Sequence, residues 1–329
     1  MKKKCSLLLI AVMFCMMFAA CGKEEGMKKI KLTEVAHSIF YAPMYVAIEE
    51  GYFEEEGIEL TLVNGLGADK TMTAVLSGES EIGFMGSEAS VYVYNEGAED
   101  YVINFAQLTQ RAGNFLVSRE QEPEFKMTDL KGKTVLGGRK GGMPQMVFEY
   151  ILKKYGMDPA TDVNIIQNID FGMTAQAFAG GSGDYTVEFE PSATALEKDG
   201  SGYVVSSLGV ESGYVPYTAF SAKKSYIEKN PEVIQGLVNA LQKGMDYVNT
   251  HTPEEIAAVI QPQFKETDKD TLVTIVTRYY AQHSWKENLV FEEASYVLLL
   301  DILESAGELE KRPAYEALVD NTYAKEVAK

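Results

Sequence analysis

Cysteine is nearly absent from the chain: there are three in 329 residues, Cys5, Cys15 and Cys21, all in the first 21 positions. From Gly22 onward no thiol remains, so disulfides, a cysteine nucleophile and a cysteine-ligated metal are excluded there. Histidine is as scarce. His37, His251 and His283 have no short metal-ligand spacing, and neither a metal site nor a cofactor is expected. Basic charge is also short, with 30 Lys and Arg against 48 Asp and Glu. Without residues 1–20, which carry three lysines and no acid, the balance is 27 to 48, a net charge of −21. Such a surface repels phosphate backbones and anionic lipid, which argues against a nucleic-acid partner. A small anion is not excluded, because screening over roughly 8 Å lets a local cluster of donors prevail. Long apolar runs are missing too. The run from Leu7 to Phe18 falls short of the roughly 20 residues a spanning helix needs.

What the N-terminus does have is order. Lys2–Lys4, then the apolar run, then Ala19-Ala20 form the layout of a secretory signal. Phe18-Ala19-Ala20-Cys21 followed by Gly22 resembles the lipobox of bacterial lipoproteins, in which the cysteine is lipidated and becomes the new N-terminus. That resemblance implies a signal peptide at 1–20, lipidation at Cys21 and a charged tether over 21–27. It places the working chain outside the cytoplasmic membrane, anchored to it through lipid. An ordinary cleaved signal with a chance cysteine is the plainer alternative.

Beyond the tether, strand and helix patterns alternate. Lys31–Val35, Ile58–Val63 and Ile82–Met85 read as strands. Pro43 opens a helix that ends at Gly51, Ala68–Leu76 is a helix stopped at Gly78, and Ser87 can cap the next one. The pattern restarts with strands at Phe115–Ser118, Thr134–Leu136, Val163–Gln167 and Tyr185–Phe189, and with helices at Met143–Lys154, Thr174–Ala179 and from Pro191. After Ala219 it turns mostly helical, with Asn230 as cap of a helix starting at Pro231. Short glycine-bearing turns between such units predict an α/β fold around a mainly parallel sheet. About 300 residues suffice for two lobes, each with its own core.

The segment YAPMYVAIEEGYFEEEGIELTLV resembles the opening of the nitrate, sulfonate, taurine and thiamine-pyrimidine binding-protein family. LSGESEIGFMGSEAS is similar to that family's third strand and ligand loop, and TDLKGKTV to its entry into the second lobe. The resemblance implies a two-lobed periplasmic-binding-protein-like (type II) fold with a cleft between lobes. It puts lobe 1 at 28–112 plus 219–329, lobe 2 at 113–218, and crossings near Arg111–Val117 and Gly213–Phe220. It further implies a receptor that captures a small solute and hands it to an ABC permease, without catalysis and as a monomer.

Ligands of open α/β sheets sit at the carboxyl ends of strands. There the sequence offers His37 and Tyr41, with Phe40 between, as an imidazole and rings for a planar solute, or as ordinary packing residues. Gly86 and Ser87 at a helix start could hold an anion or carbonyl through free N–H groups. Gly138, Arg139, Gly141, Gly142 and Met143 form a glycine-rich basic loop opening a helix, which is either an anion cradle or a solvated turn. Glu188 and Glu190 alternate onto one strand face and could pair with an amine or ring N–H, or one could cap the helix after Pro191. Phe171, Tyr214, Tyr217 and Trp285 complete the candidate cleft residues.

Rings with carboxylates favour a nitrogen heterocycle such as a thiamine-pyrimidine or riboflavin-type precursor. The basic loop favours a sulfonate, nitrate or taurine. A surface sensor or adhesin is a remoter reading. So is an enzyme like the pyrimidine synthase of the same fold family, whose cysteine-rich motif has no counterpart here.

Overall fold

The computed structural model describes residues 26–169 and 172–328. The signal, Cys21 and Phe171 lie outside the described residues. Among the described residues no helix is long and apolar enough to cross a membrane.

Among the described residues ten strands form two five-stranded sheets. In the first, β1 (Lys28–Glu34) lies between β2 (Ile58–Asn64) and β3 (Ile82–Gly86), followed by β10 (Thr218–Lys223) and β4 (Val102–Thr109) at the edge. The second has the order β7 (Asn164–Ile166), β6 (Thr134–Leu136), β8 (Tyr185–Phe189), β5 (Asn114–Ser118), β9 (Tyr203–Ser207).

Neither sheet is simply parallel. Within each, one reversed strand, β10 or β5, makes both of its pairings antiparallel. The cause is connectivity. The chain passes from β4 into β5, and later back into β10, at the end where the parallel strands finish. Asn114 at the start of β5 therefore faces Phe189 at the end of β8, and Thr218 at the start of β10 faces Gly86 at the end of β3. A strand entering from that end must run backwards. The two connecting segments are stitched together by a 2.5 Å contact between the Thr109 and Thr218 hydroxyls.

Helices cover the sheets. Those used below are α1 (Ala42–Glu49), α2 (Glu88–Asn95), α3 (Met143–Lys154), α4 (Thr174–Ala179), α5 (Ser192–Lys198), α6 (Pro231–Thr250) and α7 (Lys269–Ala281). α1, α3 and α6 each have proline in the first turn, where its missing N–H and fixed φ cost nothing. Asn230 stands before α6, but its side chain donates to the Tyr226 carbonyl at 3.0 Å and does not cap. One connected set of buried apolar side chains runs from sheet to sheet through Phe40, Phe115, Tyr217, Tyr279 and Trp285.

Candidate ligand site between the sheets

The carboxyl ends of β1 and β3 face those of β6 and β8, and the residues between them are buried. Phe40, Tyr41, Phe189 and Tyr217 form a ring cluster, with Phe40 5.4 Å from Tyr41, 6.1 Å from Phe189 and 5.8 Å from Tyr217 between centroids. Tyr41 also packs edge-on against Phe84 at 4.6 Å. Trp285 stands behind this cluster. It is 6% exposed, and its Nε1 donates to the Phe40 carbonyl at 2.9 Å, holding the turn Ile39–Tyr41 in place. Trp285 is therefore a support for the rings.

Two acids are buried at the ends of the parallel strands. Glu88, on the first turn of α2, is 3% exposed and folds back over Gly86, where a Cβ would meet its Oε2 at 2.0 Å. Burial pushes its carboxyl up to about 7, against the opposing pull of its own N–H and that of Met143. Met143 opens α3 on the second sheet, so Glu88 reaches across from one sheet layer to the other. Glu188 on β8 is 4% exposed and accepts from the Thr186 hydroxyl at 2.6 Å. Burial raises it to about 7 as well, with Thr186 and Thr174 opposing. Burial likewise raises the Tyr41 and Tyr217 hydroxyls far above the ordinary phenol range, reinforced at Tyr41 by Glu34 and Glu88, and at Tyr217 by Tyr41 and Glu88. Asn114, fully buried at the start of β5, accepts from the Tyr217 hydroxyl at 3.5 Å.

The other sequence candidates have different surroundings. Strand β8 ends at Phe189, so Glu190 leaves the face that Glu188 occupies. Its carboxylate accepts from the Thr194 N–H (2.8 Å) and hydroxyl (2.9 Å) at the start of α5 and pairs with Arg278 at 2.7 Å. His37 has both ring nitrogens engaged, Nδ1 with Glu34 at 2.8 Å and Nε2 with the Gln263 carbonyl at 2.9 Å, and it stacks on Phe264. Ser87 sits at the helix start without capping, and its hydroxyl donates to the Pro216 carbonyl at 2.6 Å.

In the glycine-rich loop, Gly138 and Gly141 have left-handed φ of 88° and 79°. The Gly141 N–H donates to Gln145, the Tyr92 hydroxyl donates to the Gly141 carbonyl, and Gly142 precedes α3. Arg139 and Lys140 are exposed and pair with Asp69 and Glu308, so the loop's cations lie on the rim. Tyr214 is exposed as well, beneath the Arg111 guanidinium at 4.2 Å. The site thus gathers Tyr41, Gly86, Met143 and Tyr217 from the sequence candidates, while Glu188 lies buried one residue before Phe189 and bonded to Thr186. The site adds Glu88 and Asn114, which sequence reasoning left out. The only signal for Glu88 was its place beside Gly86 and Ser87, and for Asn114 its place in an expected crossing.

A family model described as NMT1/THI5 like matches residues 39–256. A Bacillus subtilis (strain 168) protein named "Putative binding protein YtlA" is 48% identical over 309 residues, 94% of this chain and 92% of that one. The 4-amino-5-hydroxymethyl-2-methylpyrimidine phosphate synthase of Aspergillus parasiticus is 23% identical over 64% of this chain and 63% of its own. Among solved structures, the alkanesulfonate-binding protein SsuA from Xanthomonas axonopodis pv. citri, bound to MOPS, superposes with a TM-score of 0.72 at 16% identity, covering 90% of this chain and 99% of that one. The periplasmic-binding-protein fold that the resemblance implied is therefore the fold of this chain.

Proposed function

Because the chain belongs to the NMT1/THI5-like family, we propose that it is the extracytoplasmic solute receptor of an ABC importer, and that its solute is a nitrogen heterocycle. The observation that carries the choice of solute is the placing of charge. Two acids, Glu88 beside the rings and Glu188 at the end of β8, are buried, whereas Arg139 and Lys140 are turned outward and already paired. A sulfonate or nitrate needs donors in the interior, and acids there repel it. A ring bearing N–H or amino groups supplies donors to both carboxyls, each charge-assisted bond worth roughly 1.5–3 kcal/mol. Stacking against Tyr41, Phe189 and Tyr217 adds about 0.5–1.5 kcal/mol per ring pair beyond burial. Together these reach the roughly −8 kcal/mol of a micromolar receptor without any reaction.

On this reading the two lobes, 28–112 with 219–329 and 113–218, close about the segments joining β4 to β5 and leading into β10. Lipid at Cys21 tethers the monomeric receptor near its permease. The similarity to a pyrimidine synthase fits a shared pocket, and similarity to a binding protein over nearly the full chain favours capture over catalysis.

Thermal-shift titration of residues 22–329 tests the proposal with aminopyrimidines, flavins, taurine, MOPS and nitrate. A heterocycle at 100 times its dissociation constant adds about 2.7 kcal/mol and raises the midpoint. A shift with MOPS or nitrate and none with heterocycles overturns the choice of solute.

A further inference from the structure

Two polar atoms in this site are buried and unpartnered: Glu88 Oε2 and Asn114 Nδ2. The first is an acceptor when ionised, the second only a donor. Of the six such atoms among the described residues, these two are a complementary acceptor and donor at the ring cluster, where an arriving solute can satisfy both. They belong to one neighbourhood. The Tyr217 hydroxyl bonds to Asn114 Oδ1, and the same hydroxyl feels the charge of Glu88. They also come from opposite sides. Glu88 follows β3 of the first sheet and Asn114 begins β5 of the second, so a solute touching both bridges the sheets.

We infer that Glu88 and Asn114 are the specificity-determining pair of the receptor, reading a solute edge that carries a hydrogen-bond donor next to an acceptor. A 4-aminopyrimidine has such an edge in its amino group and N3, and a flavin has one in N3–H and its neighbouring carbonyls. A sulfonate or nitrate carries acceptors alone and leaves Glu88 opposed by like charge. The inference rests on the heterocycle reading above and deepens it.

The remaining atoms hold the pair in position. Glu88 is fixed by Gly86 beneath it and the Met143 N–H beside it, and Asn114 by the ladder to Phe189 and by Tyr217. Gly86→Ala therefore displaces the Glu88 carboxyl without altering its chemistry, since the Cβ would fall 2.0 Å from Oε2.

The test pairs solute and residue deletions by calorimetry. The probes are 4-amino-5-hydroxymethyl-2-methylpyrimidine with its analogue lacking the amino group, and lumiflavin with its N3-methyl form. Wild type should bind the donor-bearing member of one pair at least about tenfold tighter than its partner. Glu88→Ala and Gly86→Ala should abolish that discrimination, a non-additivity that a merely structural defect does not produce. Asn114→Asp, isosteric but without the donor, should weaken binding by about tenfold or more. A bound heterocycle whose discrimination survives Glu88→Ala and Gly86→Ala, with Asn114→Asp neutral, overturns the pairing alone. No binding of any probe overturns the heterocycle reading, and the pairing with it.

Discussion

Arg278 Nη1 lies 2.7 Å from Glu190 Oε1, and the two residues belong to segments attached to different sheets. Glu190 follows β8, and Arg278 is on α7, which packs against the turn Ile39–Tyr41 through the Phe40–Tyr279 contact at 5.1 Å. The same guanidinium reaches Glu197 on α5, and Lys198 pairs with Asp268 just before α7. Three ion pairs thus fasten segments of one sheet to segments of the other, and the first has a fully buried carboxylate.

Arg278→Gln leaves Glu190 with only its Thr194 donors. Removing one partner of a buried pair costs about 3–5 kcal/mol, and the lower end is expected because Thr194 remains. Urea unfolding should show this loss, and solution scattering of the ligand-free protein should show a larger radius of gyration. An unchanged radius would mean that the pair stabilises the fold without holding the cleft shut.

Ligand-free stability should fall as pH rises from about 5 to 8. Burial raises Glu34, Glu88 and Glu188 above the usual carboxyl range, the last two to about 7, and the bond to Glu34 raises His37. In that window the folded chain holds protons that the unfolded chain has released, so raising the pH favours unfolding. A shift of one unit corresponds to about 1.4 kcal/mol, and Glu88→Gln or Glu188→Gln should reduce the loss of unfolding free energy across this window by about 2–3 kcal/mol, seen as a flatter melting midpoint. The acids depressed by partners, among them Glu56 and Asp100, act only below this window. A midpoint that rises between pH 5 and 8 contradicts the raised carboxyls.

Trp285→Phe keeps most of the packing and deletes the Nε1 bond to the Phe40 carbonyl. A loss of about 1 kcal/mol in stability is expected. Because that bond sets the Ile39–Tyr41 turn, solute affinity should fall as well. Equal affinity in the variant would confine Trp285 to the core.

Gly113 lies in the segment leading to β5, where an added Cβ would fall 2.5 Å from the Phe40 ring. That ring is held by Tyr41, Tyr217, Tyr279 and Phe189, so it has no free space to yield. Gly113→Ala should cost about 1–3 kcal/mol by overpacking and reduce affinity more than Gly26→Ala, whose Cβ would meet nothing. Matching affinities in the two variants would show that Phe40 does not shape the site.

Local periodicity was enough for much of the fold. β6, β8, α3 and α4 begin and end where their patterns do, because each has clear turn residues on both sides. β4 lacks a local signature for a physical reason. It is buried on nearly every residue, and Asn104, Gln107 and Thr109 interrupt its apolar run. Asn104 is satisfied only by Ser90 and the distant Leu318 carbonyl, and Gln107 Nε2 by the Thr109 carbonyl, contacts that no local pattern encodes. The reversed direction of β5 and β10 was hidden for the same reason, since it follows from long-range connection. The rings and Glu188 were legible as types placed near strand ends. Glu88 and Asn114 were not, because what distinguishes them is the lack of a partner once buried, and a sequence does not carry that.

The reversed strand β10 also sets an order on the chain's assembly. Among the named strands β4 pairs with β10 alone, and β10 fills the gap beside β3. All five strands of the second sheet are continuous in sequence from Asn114 to Ser207, whereas the first sheet stays split until residues 218–223 arrive. During synthesis from the N-terminus, the middle of the chain can complete its sheet while β4 is still an unmatched edge. The first sheet is therefore the late-closing one, with a long-range pairing that is slow to form. Substitutions in β10, more than those in β4 or β3, should decide how much chain is lost to aggregation before the molecule is whole.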